Sequence, residues 1–133
     1  MDILTRAGIA VVLILGSLSL AWFYQRWLRQ RTSGLLTELG SLRPGTFVLV
    51  YFTTPTCVPC KTVQRPAINK LSRILGERLQ VLEIDASQQP EIASRWGVLS
   101  VPTTFVIGPR GDVRHINHGV TRSEQLLMQI HGQ

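Results

Sequence analysis

Cys57 and Cys60 are the only cysteines in the 133-residue chain, in the run Cys57-Val58-Pro59-Cys60-Lys61. A reversible disulfide needs a thiolate and a second thiol within its reach. A helix beginning at Cys57 would supply both. Side chains three apart share a helix face, and the unpaired N–H groups at a helix N-terminus favour the thiolate. Pro59 suits the first turn of such a helix, because an N–H there would have no intrahelical partner. Zinc is the competing chemistry, since His115 and His118 would complete a Cys2His2 count. A three-residue step along a strand, however, turns the two imidazoles to opposite faces. An inert pair is disfavoured by the location, which promotes reactivity rather than burial. The pair therefore reads as a dithiol that opens and closes, with no metal and no cofactor beyond its own disulfide.

The flanking sequence contains the elements needed to position that pair. Thr46-Phe-Val-Leu-Val-Tyr-Phe52 is a continuous apolar run of β-formers, as in a central strand covered on both faces. From Cys57 to Gly76 the pattern predicts a helix with Val63, Ala67, Ile68, Leu71, Ile74 and Leu75 inward and Gly76 as C-cap. Leu79–Asp85 reads as a second strand, 88–97 as a short helix stopped by Gly97, Thr103–Ile107 as a third strand and Val113–Asn117 as a fourth. Thr121 and Glu124 have capping-box spacing before a last helix with Leu126, Leu127 and Ile130 inward. Helices alternating with strands, then a hairpin and a final helix, imply an α/β sandwich.

With these residues in place, about residues 34 to 133 resemble the thioredoxin family. The resemblance rests on three features: the strand leading into Cys57-Val-Pro-Cys60-Lys61, the segment Glu83 to Thr103 with Asp85, Trp96-Gly97-Val98 and Val101-Pro102-Thr103, and the glycines Gly111 and Gly119. It implies a thioredoxin-like fold, a central mixed β-sheet flanked by helices. Cys57 would be the nucleophile and Cys60 the resolving cysteine, with the Val58-Pro59 dipeptide setting the potential. A cis Val101–Pro102 bond would leave Val101 free to pair with an extended substrate segment, in a groove lined by Val101, Pro102, Thr103, Gly119 and Val120. The partners implied are protein disulfides or dithiols and a recycling thiol reductase. Val101 and Pro59 resemble the reducing branch of the family.

The sequence also departs from the family pattern. Thr56 stands where a Trp is common, and Tyr51 where a buried Asp is common; the Lys that pairs with that Asp would fall at Val81. Glu83, on the same strand face as Val81, is the candidate substitute, and His118 a candidate for tuning the cysteines. Pro66 falls six residues after Cys60 where the family usually has five, which implies a local bulge in the helix or a start shifted by one.

Ahead of that domain, Ala7 to Gln25 contains no charged residue. Nineteen helical residues reach about 28 Å, close to a ~30 Å hydrocarbon core, and Trp22, Tyr24 and Trp27 would form an interfacial belt. The expected organisation is a tail at 1–6, a membrane helix at 7–25, a basic juxtamembrane linker at 26–33 and the thioredoxin-like domain at 34–133, a single-pass membrane protein. Arg26, Arg29 and Arg31 follow the span and Arg6 alone precedes it, which favours a cytoplasmic domain; membrane-tethered relatives of the resembled family often face outward. Half of the net charge of +6 lies in this N-terminal part. No basic stripe interleaved with aromatics marks a nucleic-acid surface. The alternative to an oxidoreductase is a redox-inactive binding module of the same fold at the membrane.

Overall fold

The computed structural model describes residues 2–40 and 42–132, with the backbone alone for 28–33. Helix α1 spans Ile3–Thr37 and continues unbroken through 26–33, the segment expected to be a linker. That stretch holds no proline, and three arginines with Leu28 and Gln30 make most of it residues that cost a helix little. Its first part, Ile3–Trp27, is long and apolar enough to cross a bilayer, with mean hydropathy 2.0 and no part of it buried in the protein. Its last turn is different in character: Leu36 is buried against the domain, and Glu38, just past the helix, pairs with Arg95.

The domain is built on a four-stranded sheet in the order β2-β1-β3-β4, with β1 Phe47–Thr53, β2 Leu79–Asp85, β3 Thr103–Ile107 and β4 Val113–His118. β1 runs parallel to β2 and antiparallel to β3, and β3 is antiparallel to β4. The parallel pair requires a crossover, supplied by a helical segment from Cys60 to Arg78 whose α-helical part, α2, is Arg65–Leu75. Helix α3 is Pro90–Arg95 and α4 is Ser123–His131.

Alternation along β1 divides the core in two. Leu49 and Tyr51 point to the face covered by α2 and α4, packing with Ile68, Leu71, Leu75, Leu126, Ile130 and both cysteines. Val48, Val50 and Phe52 point to the other face, where Trp96, Phe105, Ile107 and Leu36 of α1 lie. Rings of Phe52, Trp96 and Phe105 meet there at centroid distances of 4.9 to 5.9 Å. Trp96 is thus a packing residue.

Two local expectations are corrected. Val63 and Ile74 face solvent, and Gln64 is buried instead. The buried face of the segment is Gln64, Ile68, Leu71 and Leu75, a helical stripe that leaves Val63 and Ile74 off to the side, and a π turn at Cys60–Gln64 joins the cysteine motif to α2. A π turn closes i to i+5 and so absorbs one extra residue, and the six-residue step from Cys60 to Pro66 has one residue to absorb. The Thr121/Glu124 capping box does not form: α4 begins at Ser123, its N-cap is Arg122, and no side chain caps it. Thr121 is engaged elsewhere, and Glu124 pairs with Lys70 of α2 at 2.9 Å.

The hydrogen bond from Lys70 lowers the Glu124 pKa from 4.5 to about 2. A carboxyl whose folded pKa is depressed stabilises the fold fully above its unfolded value and loses that contribution as pH falls towards the folded one. Glu124→Gln should therefore lower the melting temperature slightly at pH 6, the pair being exposed. The gap to the parent chain should close between pH 4.5 and about 2 in a thermal-melt series.

Candidate active site: the Cys57–Cys60 disulfide and its groove

β1 ends at Thr53, and the next four residues bring the chain to Cys57. The Cys57 N–H donates to the Thr54 carbonyl oxygen at 3.2 Å, closing the turn, and helical backbone begins at Val58. Cys57 and Cys60 are joined as a disulfide with Cα atoms 5.3 Å apart. The two sulfurs are not equivalent. Cys60 is 0% exposed, whereas Cys57 is at the rim at 9%, beside exposed Val58 and Pro59. The backbone N–H of Cys60 donates to the Cys57 sulfur at 3.3 Å. A hydrogen bond from the first helical turn favours negative charge on that atom once the disulfide opens. An outside sulfur can meet Cys57; Cys60 can reach only what is already bound there.

Behind Cys60 is Tyr51, 1% exposed. Its hydroxyl donates to the Cys60 carbonyl oxygen at 3.1 Å, the same oxygen that accepts the Arg65 N–H closing the π turn. Burial pushes the Tyr51 pKa above 10, so the phenol stays neutral. Glu83 lies directly across from Tyr51 in the β1–β2 register but on the sheet edge, where its side chain is 47% exposed and paired with the Arg65 guanidinium. It is not a buried carboxylate behind Cys60. Val81 packs at the margin of the same core. The position commonly held by an acid in thioredoxins is here a neutral phenol.

Across from the cysteines, the Val101–Pro102 peptide bond is cis. Val101 is half-buried, Pro102 and Thr103 are buried, and the Thr103 hydroxyl donates to the Ser100 carbonyl at 2.6 Å. The Gly119 N–H donates to the Pro102 carbonyl at 2.9 Å, which seats Gly119 and Val120 beside the proline. Gly119 has φ +88°, a conformation side-chain-bearing residues rarely adopt. His118 pairs with Thr103 across the β3–β4 ladder and is exposed, as is His115. Among the described residues, no three His, Cys, Asp or Glu side chains come together to hold a metal. The Cys2His2 alternative is therefore not assembled.

Tyr51 and Gln64 are the site-supporting residues that sequence reasoning missed. Tyr51 reads in the sequence only as the absence of an acid. Gln64 is legible in principle, since it lies four residues before Ile68 on the stripe of Ile68, Leu71 and Leu75.

A parallel–antiparallel sheet carrying a Cys-x-x-Cys pair at the start of a helix, opposite a Val-Pro-Thr segment, defines a redox-dithiol class of α/β protein. Residues 41–131 match the thioredoxin family model, and the chain belongs to the thioredoxin family. It is 34% identical over 79 residues to a thioredoxin of Bacillus subtilis, covering 59% of this chain and 74% of the relative. To a thioredoxin-like protein of Synechocystis it is 33% identical over 91 residues, covering 68% and 82%. Among solved structures, thioredoxin-2 of the malaria parasite superposes with TM-score 0.64 at 22% identity, covering 71% of this chain and 89% of that one. StoA of Bacillus subtilis superposes with TM-score 0.55 at 16% identity, covering 65% and 84%.

Proposed function

We propose that this chain is a membrane-anchored thiol–disulfide oxidoreductase that reduces disulfides in other proteins. The observation that carries the reading is the asymmetry of the pair, with Cys57 reaching the surface at 9% exposure and Cys60 fully buried behind it. In the reduced form the Cys57 thiolate attacks one sulfur of a substrate disulfide, and the other sulfur leaves as a thiolate and takes a proton. Cys60, deprotonated, then attacks the Cys57 sulfur and expels the second substrate thiol. The substrate gains two electrons and two protons, and the chain is left with the Cys57–Cys60 disulfide. A dithiol reductase must return the electrons. The substrate segment would lie extended along Val101, between Pro102 and Gly119–Val120, as an added strand.

The apolar residues 7–25 of α1 would hold the protein in the bilayer, and Arg26, Arg29 and Arg31 would keep the domain on the cytoplasmic side. A redox titration of the full chain in detergent micelles, followed by tryptophan fluorescence or thiol alkylation, tests the reading. A two-electron transition below about −180 mV, the value typical of the isomerase class, is expected. A higher potential would make the chain an oxidant or isomerase. No transition at all would leave a binding module.

A further inference from the structure

The segment beside the cis proline that would form a wall of the groove is suspended between two anchors. At one end the Gly119 N–H is bound to the Pro102 carbonyl. At the other, Gln64 holds Thr121 from both sides: its side-chain nitrogen donates to the Thr121 carbonyl at 3.1 Å, and its side-chain oxygen accepts the Thr121 N–H at 2.9 Å. Gln64 is 0% exposed and Thr121 is buried, so neither bond is exchanged freely with water. Between the anchors only Val120 is free, apolar and partly exposed. Gln64 is the last residue of the π turn that begins at Cys60. One side chain thus ties the turn carrying the resolving cysteine to the loop that forms the far wall of the groove.

The next inward side chain on the helix is the apolar Ile68. Gln64 lies four residues before Ile68 and so extends the buried Ile68–Leu71–Leu75 face by one turn, with a hydrogen-bonding side chain in place of an apolar one.

We infer that Gln64 is a positioning residue for substrate protein, setting the width of the groove between Val101 and Val120 relative to the Cys57 sulfur. This inference rests on the groove reading above. Its consequence is a division between substrates. A segment that must thread the groove depends on Gln64, and a small thiol reagent that needs only the Cys57 sulfur does not.

The test uses the full chain in detergent micelles with Cys60→Ser, so that capture stops at the mixed disulfide. Two probes carry the same leaving group: an extended peptide whose cysteine is activated as the thionitrobenzoate disulfide, and cysteine activated in the same way. In each case the Cys57 thiolate bonds to the probe sulfur and thionitrobenzoate leaves, giving an absorbance signal. Gln64→Leu is expected to slow peptide capture by about ten- to hundredfold, the scale of a misplacement near 1 Å, and capture of cysteine by less than about threefold. Gln64→Glu is the conservative variant. A protonated carboxyl can donate to the Thr121 carbonyl and accept its N–H as the amide does, and an ionised one can only accept. Its peptide-to-cysteine ratio, relative to Gln64 at the same pH, should recover as pH falls. If Gln64→Leu does not fold, the ratio for Gln64→Glu decides alone. Equal slowing of both probes, or no slowing, would overturn the inference and leave Gln64 a stability element. The redox titration reports separately on the oxidoreductase reading, because probe capture needs no catalytic cycle.

Discussion

Cys60→Ser should convert the protein from a turnover catalyst into a trap. Multiple-turnover reduction of a protein disulfide is expected to fall on the order of a thousandfold or more, because a serine hydroxyl cannot displace the bound substrate from the Cys57 sulfur. The first half-reaction survives, since Cys57 keeps its place at the rim and the helical N–H that supports its thiolate. The product is a one-to-one covalent complex, visible on non-reducing gels and released by dithiothreitol. Cys57→Ser should give neither turnover nor complex, because the Cys60 sulfur is fully enclosed. Complexes formed by Cys57→Ser, or unimpaired turnover by Cys60→Ser, would reverse the roles given to the two cysteines.

The second large effect concerns Tyr51. Truncation by Tyr51→Ala opens a cavity in the α2/α4 core, where Tyr51 is 1% exposed, and is expected to cost about 3–5 kcal/mol, the range for large aromatic deletions. That is a substantial share of the ~5–15 kcal/mol typical of a domain. Tyr51→Phe keeps the ring and loses only the bond to the Cys60 carbonyl, an oxygen still held by the Arg65 N–H. It should cost about 1 kcal/mol, a melting-point drop of roughly 4–8 °C for a domain near this size. The two variants, compared by thermal unfolding, separate volume from hydrogen bond.

Alkaline pH separates them again. The Tyr51 pKa is raised by burial above its ordinary 10, so the native state holds the phenolic proton more tightly than the unfolded chain does. The resulting stability is complete below pH 10 and is lost as pH rises through the folded value. The parent chain should therefore lose stability above pH 10 more steeply than Tyr51→Phe. Near neutrality the phenol is neutral and neither gains nor loses a proton. Tyr51→Phe should consequently leave the inflections of the pH–rate profile where they are, and a displaced inflection would show that the hydroxyl takes part in proton transfer.

Much of the site could be read from local pattern. The cysteine spacing, the apolar run that ends before it, Val101-Pro102-Thr103 and Gly119 all act through their own residue types and immediate neighbours. So do the strands Leu79–Asp85 and Thr103–Ile107, whose observed bounds match the expected ones because a short run rich in β-formers and bounded by turn residues has few alternatives. The apolar character of Ala7–Gln25 is likewise a property of composition.

Other features needed contacts that local sequence does not encode. Glu83 had the right strand face to replace the missing acid, but β2 is an edge strand, and only the sheet order puts its carboxylate in solvent with Arg65. Thr121 and Glu124 had the spacing of a capping box, but their partners lie on the Cys60–Leu75 helical segment, 57 and 54 residues away along the chain. Helical periodicity admits both Val63-Ala67-Leu71-Ile74 and Gln64-Ile68-Leu71-Leu75 as inward stripes, and only the packing of the helix selects the second and leaves Val63 outside. The sequence alone determined the redox chemistry, through residue types at short spacing. The tertiary structure decided what lies behind Cys60 and what holds Thr121 in place, because both depend on distant segments meeting in a closed, close-packed core.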